Sequence, residues 1–132
     1  MAEVPGESDI DSPRNPLLRV HHEVHQDVVI VRAVGDIDLG TAPLLSDHLD
    51  QATAQLTPPA PLILDLSGVE FLASVGLSEL LKHSQRCVDL GSSLVVVATH
   101  RAVLRTMQIT GLTENITVVS SIDAALTIEA GA

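Results

Sequence analysis

Six histidines occur in the chain, and three of them stand within the run His21-His22-Glu23-Val24-His25. Imidazoles beside a carboxylate invite a metal, because zinc is held by such groups in the helical pattern H-E-x-x-H. This run is one residue too short for that pattern, and its neighbours predict a strand rather than a helix. In a strand His21, Glu23 and His25 share one face; a solvated outer strand explains them, and no metal is assigned. His48, His83 and His100 fall on separate elements with no cysteine or carboxylate at ligand spacing. Ser74 is the hydroxyl with a nucleophile's surroundings, but no G-x-S-x-G turn encloses it and no histidine and acid follow in a triad order. Asp36, Asp38 and Asp65 lie near strand ends, as the acidic residues of a phosphoreceiver do. A receiver also needs a lysine after its last strand, and the lone lysine, Lys82, falls in mid-helix. Glycine-rich phosphate loops are absent, and no cofactor is expected. Cys87 lies four residues before Gly91 and reads as a small packed hydrophobe, with no second cysteine to resolve it. Without a catalytic constellation, the chain is expected to bind rather than to turn over a substrate.

Composition narrows what it binds. Seven basic residues stand against 17 acidic ones, a net charge of −10 that repels phosphate backbones and anionic membrane surfaces. Phe71 is the only aromatic residue, so no stacking platform for bases exists. Neither nucleic acid nor membrane is an expected partner. The single cysteine, a polar acidic start and the lack of a long apolar run predict a cytoplasmic protein.

The elements that must position these residues alternate. Residues 1–16 carry four carboxylates among three prolines and predict a flexible arm. Residues 17–25 and 28–34 form a predicted hairpin about Gln26-Asp27; the second run, VVIVRAV, suits a strand covered on both faces. A helix follows, with Thr41 as N-cap, Pro43 in its first turn and Leu45, Leu49, Ala52 and Leu56 at helical spacing. Residues 62–66 make a buried strand, 67–73 a turning segment, and Ser74 the N-cap of a helix from Val75 that ends near Gly91. A strand at 94–98, a helix at 100–110 ended by Gly111, a strand at 116–119 and a helix capped by Ser121 complete the series. Such alternation predicts one α/β domain over 17–132. Its sheet is mixed, an N-terminal hairpin then parallel strands, flanked by about four helices.

Three ordered segments carry a family likeness. GDIDLGTAPLL at 35–45, LILDLSGVEFLASVGLSELL at 62–81 and HRAVLRTMQITGL at 100–112 resemble the signature stretches of STAS domains, and ITVVSSIDAAL resembles their terminal strand and helix. The resemblance spans roughly residues 17–130 and points to the stand-alone type, the anti-sigma factor antagonists. It implies a partner, an anti-sigma factor of the Ser/Thr-kinase type, and a role in transcription regulation under stress. The partner-binding surface it implies comprises Asp36, Asp38, Gly40 and Thr41 on one loop and Ala73, Ser74, Val75, Gly76 and Leu77 on another. In the family a serine or threonine immediately before the glycine is phosphorylated by the partner, which ends binding. Here Val75 occupies that position and Ala73 replaces the usual aspartate, so the switch is expected to be disabled, with Ser74 the one adjacent hydroxyl. On this reading Asp38→Lys and Gly76→Trp abolish partner binding and leave the fold intact. An alternative from another class is a ligand- or lipid-sensing stand-alone STAS module in a signalling complex.

Overall fold

A computed structural model describes residues 18–131; the arm expected over 1–16 lies outside the described residues. The elements run β1 (Leu18–His25), β2 (Val28–Ile37), α1 (Ala42–Thr53), β3 (Leu62–Leu72), α2 (Ser74–Asp89), β4 (Leu94–Val97), α3 (Arg101–Ile109), a 3-10 turn (Leu112–Glu114), β5 (Thr117–Val119) and α4 (Ile122–Gly131). The strands form one sheet in the order β1-β2-β3-β4-β5. β1 and β2 pair antiparallel, Leu18 opposite Gly35 and His25 opposite Val28, and every later pair is parallel. The α/β architecture expected from the alternation is the one observed.

Strand periodicity sorts the core into two layers. Val29, Val31 and Ala33 of β2 and Leu62, Leu64 and Leu66 of β3 pack under α1, α2 and α3, against Leu45, Leu49, Leu80, Val103 and Met107. Their alternate neighbours Val28, Ile30, Ile63, Val95 and Val97 face Ala125 of α4, with Ile122 and Leu126 beside it. One short helix cannot cover a whole sheet face. Further along β2, Arg32 is half-exposed and bonded to Asp65 (Nη1–Oδ2, 3.2 Å), and Val34 is 48% exposed. The run VVIVRAV is therefore covered on both faces over its first half only.

The second parallel strand departs most from expectation. Residues 67–72, expected to turn, continue β3 to Leu72, and β2 likewise runs on to Ile37. Register shifts fall between Arg32 and Val34 and between Gly35 and Asp36. Bulges place extra residues on β3, so its buried positions fall at Leu66, Val69 and Leu72 instead of alternating. Gly35 holds φ at 125° beside the second shift, a backbone conformation that side chains resist.

Most remaining boundaries move by about a residue, but α1, expected to run through Leu56, already ends at Thr53. Gly91 and Gly111 take φ of 85° and 78° just past α2 and α3, as C-terminal glycines should. Ser121 Oγ accepts the Ala124 amide at 3.0 Å and caps α4 as expected. Ser74 does not cap α2: Ala73 is the N-cap residue, Ser74 begins the helix, and no side chain bonds its first amides. Cys87 is fully buried, and that burial pushes its thiol up to about 11.

Candidate functional site

At the carboxyl ends of β2 and β3 the chain builds two adjoining loops. The first is a compact turn centred on Asp38. Its Oδ1 accepts the amides of Gly40 (2.9 Å) and Thr41 (3.0 Å), and its carbonyl oxygen accepts the amide of Ala42 (2.8 Å). Thr41 is at the N-cap position, but its hydroxyl works backwards: it donates to the Asp36 carbonyl (2.8 Å) and accepts from the Asp38 amide (2.9 Å). Asp38 and Thr41 thus hold each other and fix the entry of α1. Leu39, at the crest of the turn, is 80% exposed.

The second loop is the junction of β3 and α2. Its Ala73 amide donates to the Ile37 carbonyl at 2.8 Å, which fastens the junction to the end of β2 beside the Asp38 turn. Ser74 is exposed, Ala73 and Val75 are half-buried, and Gly76 and Leu77 are buried. Gly76 is needed for space. A β-carbon there would lie 2.6 Å from Leu72 Cδ1 and 2.7 Å from Ile37 Cγ2, so the first turn of α2 rests directly on the two strand ends.

Of the nine residues expected at a partner surface, all gather at this one end of the sheet. They divide by role. Asp36, Asp38, Gly40 and Thr41 of the turn and Ala73, Ser74 and Val75 of the junction reach solvent, whereas Gly76 and Leu77 support the loop from beneath. The expectation that Asp38→Lys and Gly76→Trp leave the fold intact is corrected. Asp38 staples its turn by accepting the Gly40 and Thr41 amides, and Gly76 has no room for a side chain.

Two exposed apolar residues at this end of the sheet are not among the nine. Leu39 stands beside Asp38, and Phe71, paired across the sheet with Asp36, is 51% exposed. The signal was present: the chain's only aromatic residue occurs outside the aliphatic periodicity that marks the core. An uncovered leucine at the crest of a fixed polar turn suits a protein partner. Asp65, weighed as a phosphoacceptor, is 8% exposed; its carboxylate accepts the Ser67 amide (2.9 Å) and pairs with Arg32, a structural role. His21, Glu23 and His25 are all exposed on β1, and no group of three or more metal-binding side chains gathers among the described residues. No helix among them is long and apolar enough to cross a membrane.

The family model of the STAS domain matches residues 19–125. The chain belongs to the STAS-domain family. Within it, this STAS protein is 35% identical over 105 residues to the anti-sigma-F factor antagonist RsfB of Mycobacterium tuberculosis, covering 78% of the chain and 82% of the relative. It is 28% identical over 115 residues to the antagonist RsfA of the same organism, covering 87% and 90%. The crystal structure of an anti-sigma factor antagonist from Mycobacterium paratuberculosis superimposes with a TM-score of 0.78 at 35% identity, covering 85% of this chain and 93% of that one. The protein is thus an anti-sigma factor antagonist-like STAS domain, similar over most of its length to proteins named as anti-sigma factor antagonists.

Proposed function

We propose that this STAS domain binds an anti-sigma factor through the Asp38 turn and the Ala73–Val75 junction, and that it stays bound without a phosphoserine switch. The observation that carries the reading is the Ala73–Ile37 hydrogen bond, which joins the two loops at one end of the sheet, with Leu39 exposed at the crest of the first. Likeness to the antagonists RsfA and RsfB supports the class of partner, and family resemblance supports a kinase-type fold for it.

The absence of a switch follows from chemistry at one position. Val75 stands immediately before Gly76, and its isopropyl group cannot accept a phosphoryl group. Ser74 is exposed at the first position of α2, where uncapped amides favour negative charge, so it is the one local hydroxyl that a kinase could use instead. Incubation with a kinase-type anti-sigma factor and ATP should leave the protein unmodified and still able to bind. Phosphate on Ser74 together with lost binding would replace this reading with an ordinary switch displaced by one residue. Failure to bind any anti-sigma factor would remove the partner assignment itself.

A further inference from the structure

His22 and His48, 26 positions apart, place their Nδ1 atoms 3.3 Å from each other across the β1–α1 boundary. Their ring centroids are 5.5 Å apart and the rings cross at 75°. Both residues are half-buried, while His21 and His25 of the same strand are exposed. Two nitrogens bound to one tetrahedral zinc ion at about 2.0–2.1 Å lie about 3.4 Å apart. The spacing already present is therefore that of two ligands on one ion.

We propose that His22 and His48 form a two-imidazole site for a divalent first-row metal ion of the zinc and copper class, with solvent completing the coordination. Imidazole nitrogen suits these ions, whereas magnesium and calcium require oxygen ligands. Without metal, the two Nδ1 atoms can share one hydrogen, one ring donating and the other accepting. On binding, the ring that carried it moves its hydrogen to Nε2, so a neutral pair presents two lone pairs and releases no net proton.

The site joins an edge strand to the helix whose entry is fixed by Asp38, so an ion there would tie β1 to α1. It also exists only in the folded chain, because its ligands come from separate elements. That distinguishes it from the adjacent histidines of β1, which remain neighbours in sequence after unfolding.

The discriminating experiment is thermal unfolding of the full chain at pH 7 with and without excess Zn2+, Cu2+ or Mg2+, on wild type and on His22→Gln, His48→Gln and a His21→Gln/His25→Gln double variant. Zn2+ should raise the midpoint of wild type and of the double variant by several degrees, since ligand bound only to the folded state stabilises it. Cu2+ should saturate that effect at a lower concentration than Zn2+, following the general affinity order. Mg2+ should do nothing. Each single variant should unfold cooperatively without metal and lose the metal-dependent rise. As a second readout, imidazole 15N resonances of His22 and His48 should move together on Zn2+ addition. A rise that survives in His48→Gln, or that vanishes in the double variant, would overturn the assignment in favour of the β1 surface. No rise in wild type, with His22 and His48 resonances unmoved, would show that the pair is a hydrogen bond and nothing more.

Discussion

At Gly76 a hydrogen atom decides how closely α2 approaches the strand ends. Adding a single methyl group would press on both Leu72 and Ile37. Gly76→Ala is therefore expected to destabilise the fold by about 1–3 kcal/mol, the usual cost of overpacking a well-filled interior, which chemical denaturation would measure. Leu39 is the opposite case, exposed at the crest of its turn and absent from the buried core. Leu39→Asp should leave the unfolding midpoint within a degree or two and weaken anti-sigma factor binding by tenfold or more, as truncating an apolar anchor does. Equal binding by wild type and variant in a calorimetric titration would move the docking surface elsewhere. Val75→Ser tests the same surface from the regulatory side. It should introduce a phosphorylatable hydroxyl, and the unmodified variant should bind as wild type does; a kinase-type partner that ignores the new serine would mean that Ala73 also blocks transfer.

Between elements, the joint that matters most is that of α1 and α2. His83 of α2 is fully buried, with Nδ1 2.9 Å from the Glu79 carbonyl and Nε2 3.0 Å from Asp50 Oδ1 of α1. Arg86 Nη1 approaches the same Asp50 oxygen at 3.0 Å from the more exposed side. The His83 hydrogen bond holds the Asp50 carboxyl below its ordinary value, with burial opposing and Arg86 assisting. A depressed carboxylate contributes stability above its unfolded pKa and loses it as pH falls through the folded one. Asp50 should accordingly support the fold at neutral pH and cease to do so below its ordinary value of 3.8. Asp50→Asn should lower the unfolding midpoint at pH 7 and narrow its difference from wild type at pH 3; a difference that stays constant would exclude this linkage. None of this pairing was legible in the sequence, because 33 residues separate Asp50 from His83 and only helix packing joins them. The helices themselves were legible from apolar residues at helical spacing, with Pro43 in the first turn of α1, Gly91 and Gly111 just past α2 and α3, and Ser121 before α4. The end of β3 was not. Its bulges replace period two with the spacing of Leu66, Val69 and Leu72, and Ser67 with Gly68 then resembles a turn. The candidate surface could be located because it adjoins recognisable motifs, but the division between Gly76, which supports it, and Leu39, which faces solvent, needed burial to be seen.

Considered whole, the molecule is asymmetric in what it offers a partner. Three helices bury one sheet face, α4 covers part of the other, and the strand ends carry a fixed acidic turn with exposed leucine and phenylalanine. The net charge of −10 disfavours anionic partners and favours a protein that presents basic groups around an apolar centre. If charge steers encounter, association with the anti-sigma factor should slow as ionic strength rises, while dissociation of the formed complex changes less. Stopped-flow measurements at low and high salt would show this, and an association rate indifferent to salt would exclude steering. As proposed above, this STAS domain engages an anti-sigma factor and is not released by phosphorylation. Calorimetric titration of a kinase-type anti-sigma factor, before and after the two proteins have been incubated with ATP and the STAS domain repurified, tests both halves at once. The prediction is saturable binding with the same Kd in both titrations and no added phosphate by intact mass. Binding that is present before ATP and lost afterwards, with phosphate on Ser74, would contradict it.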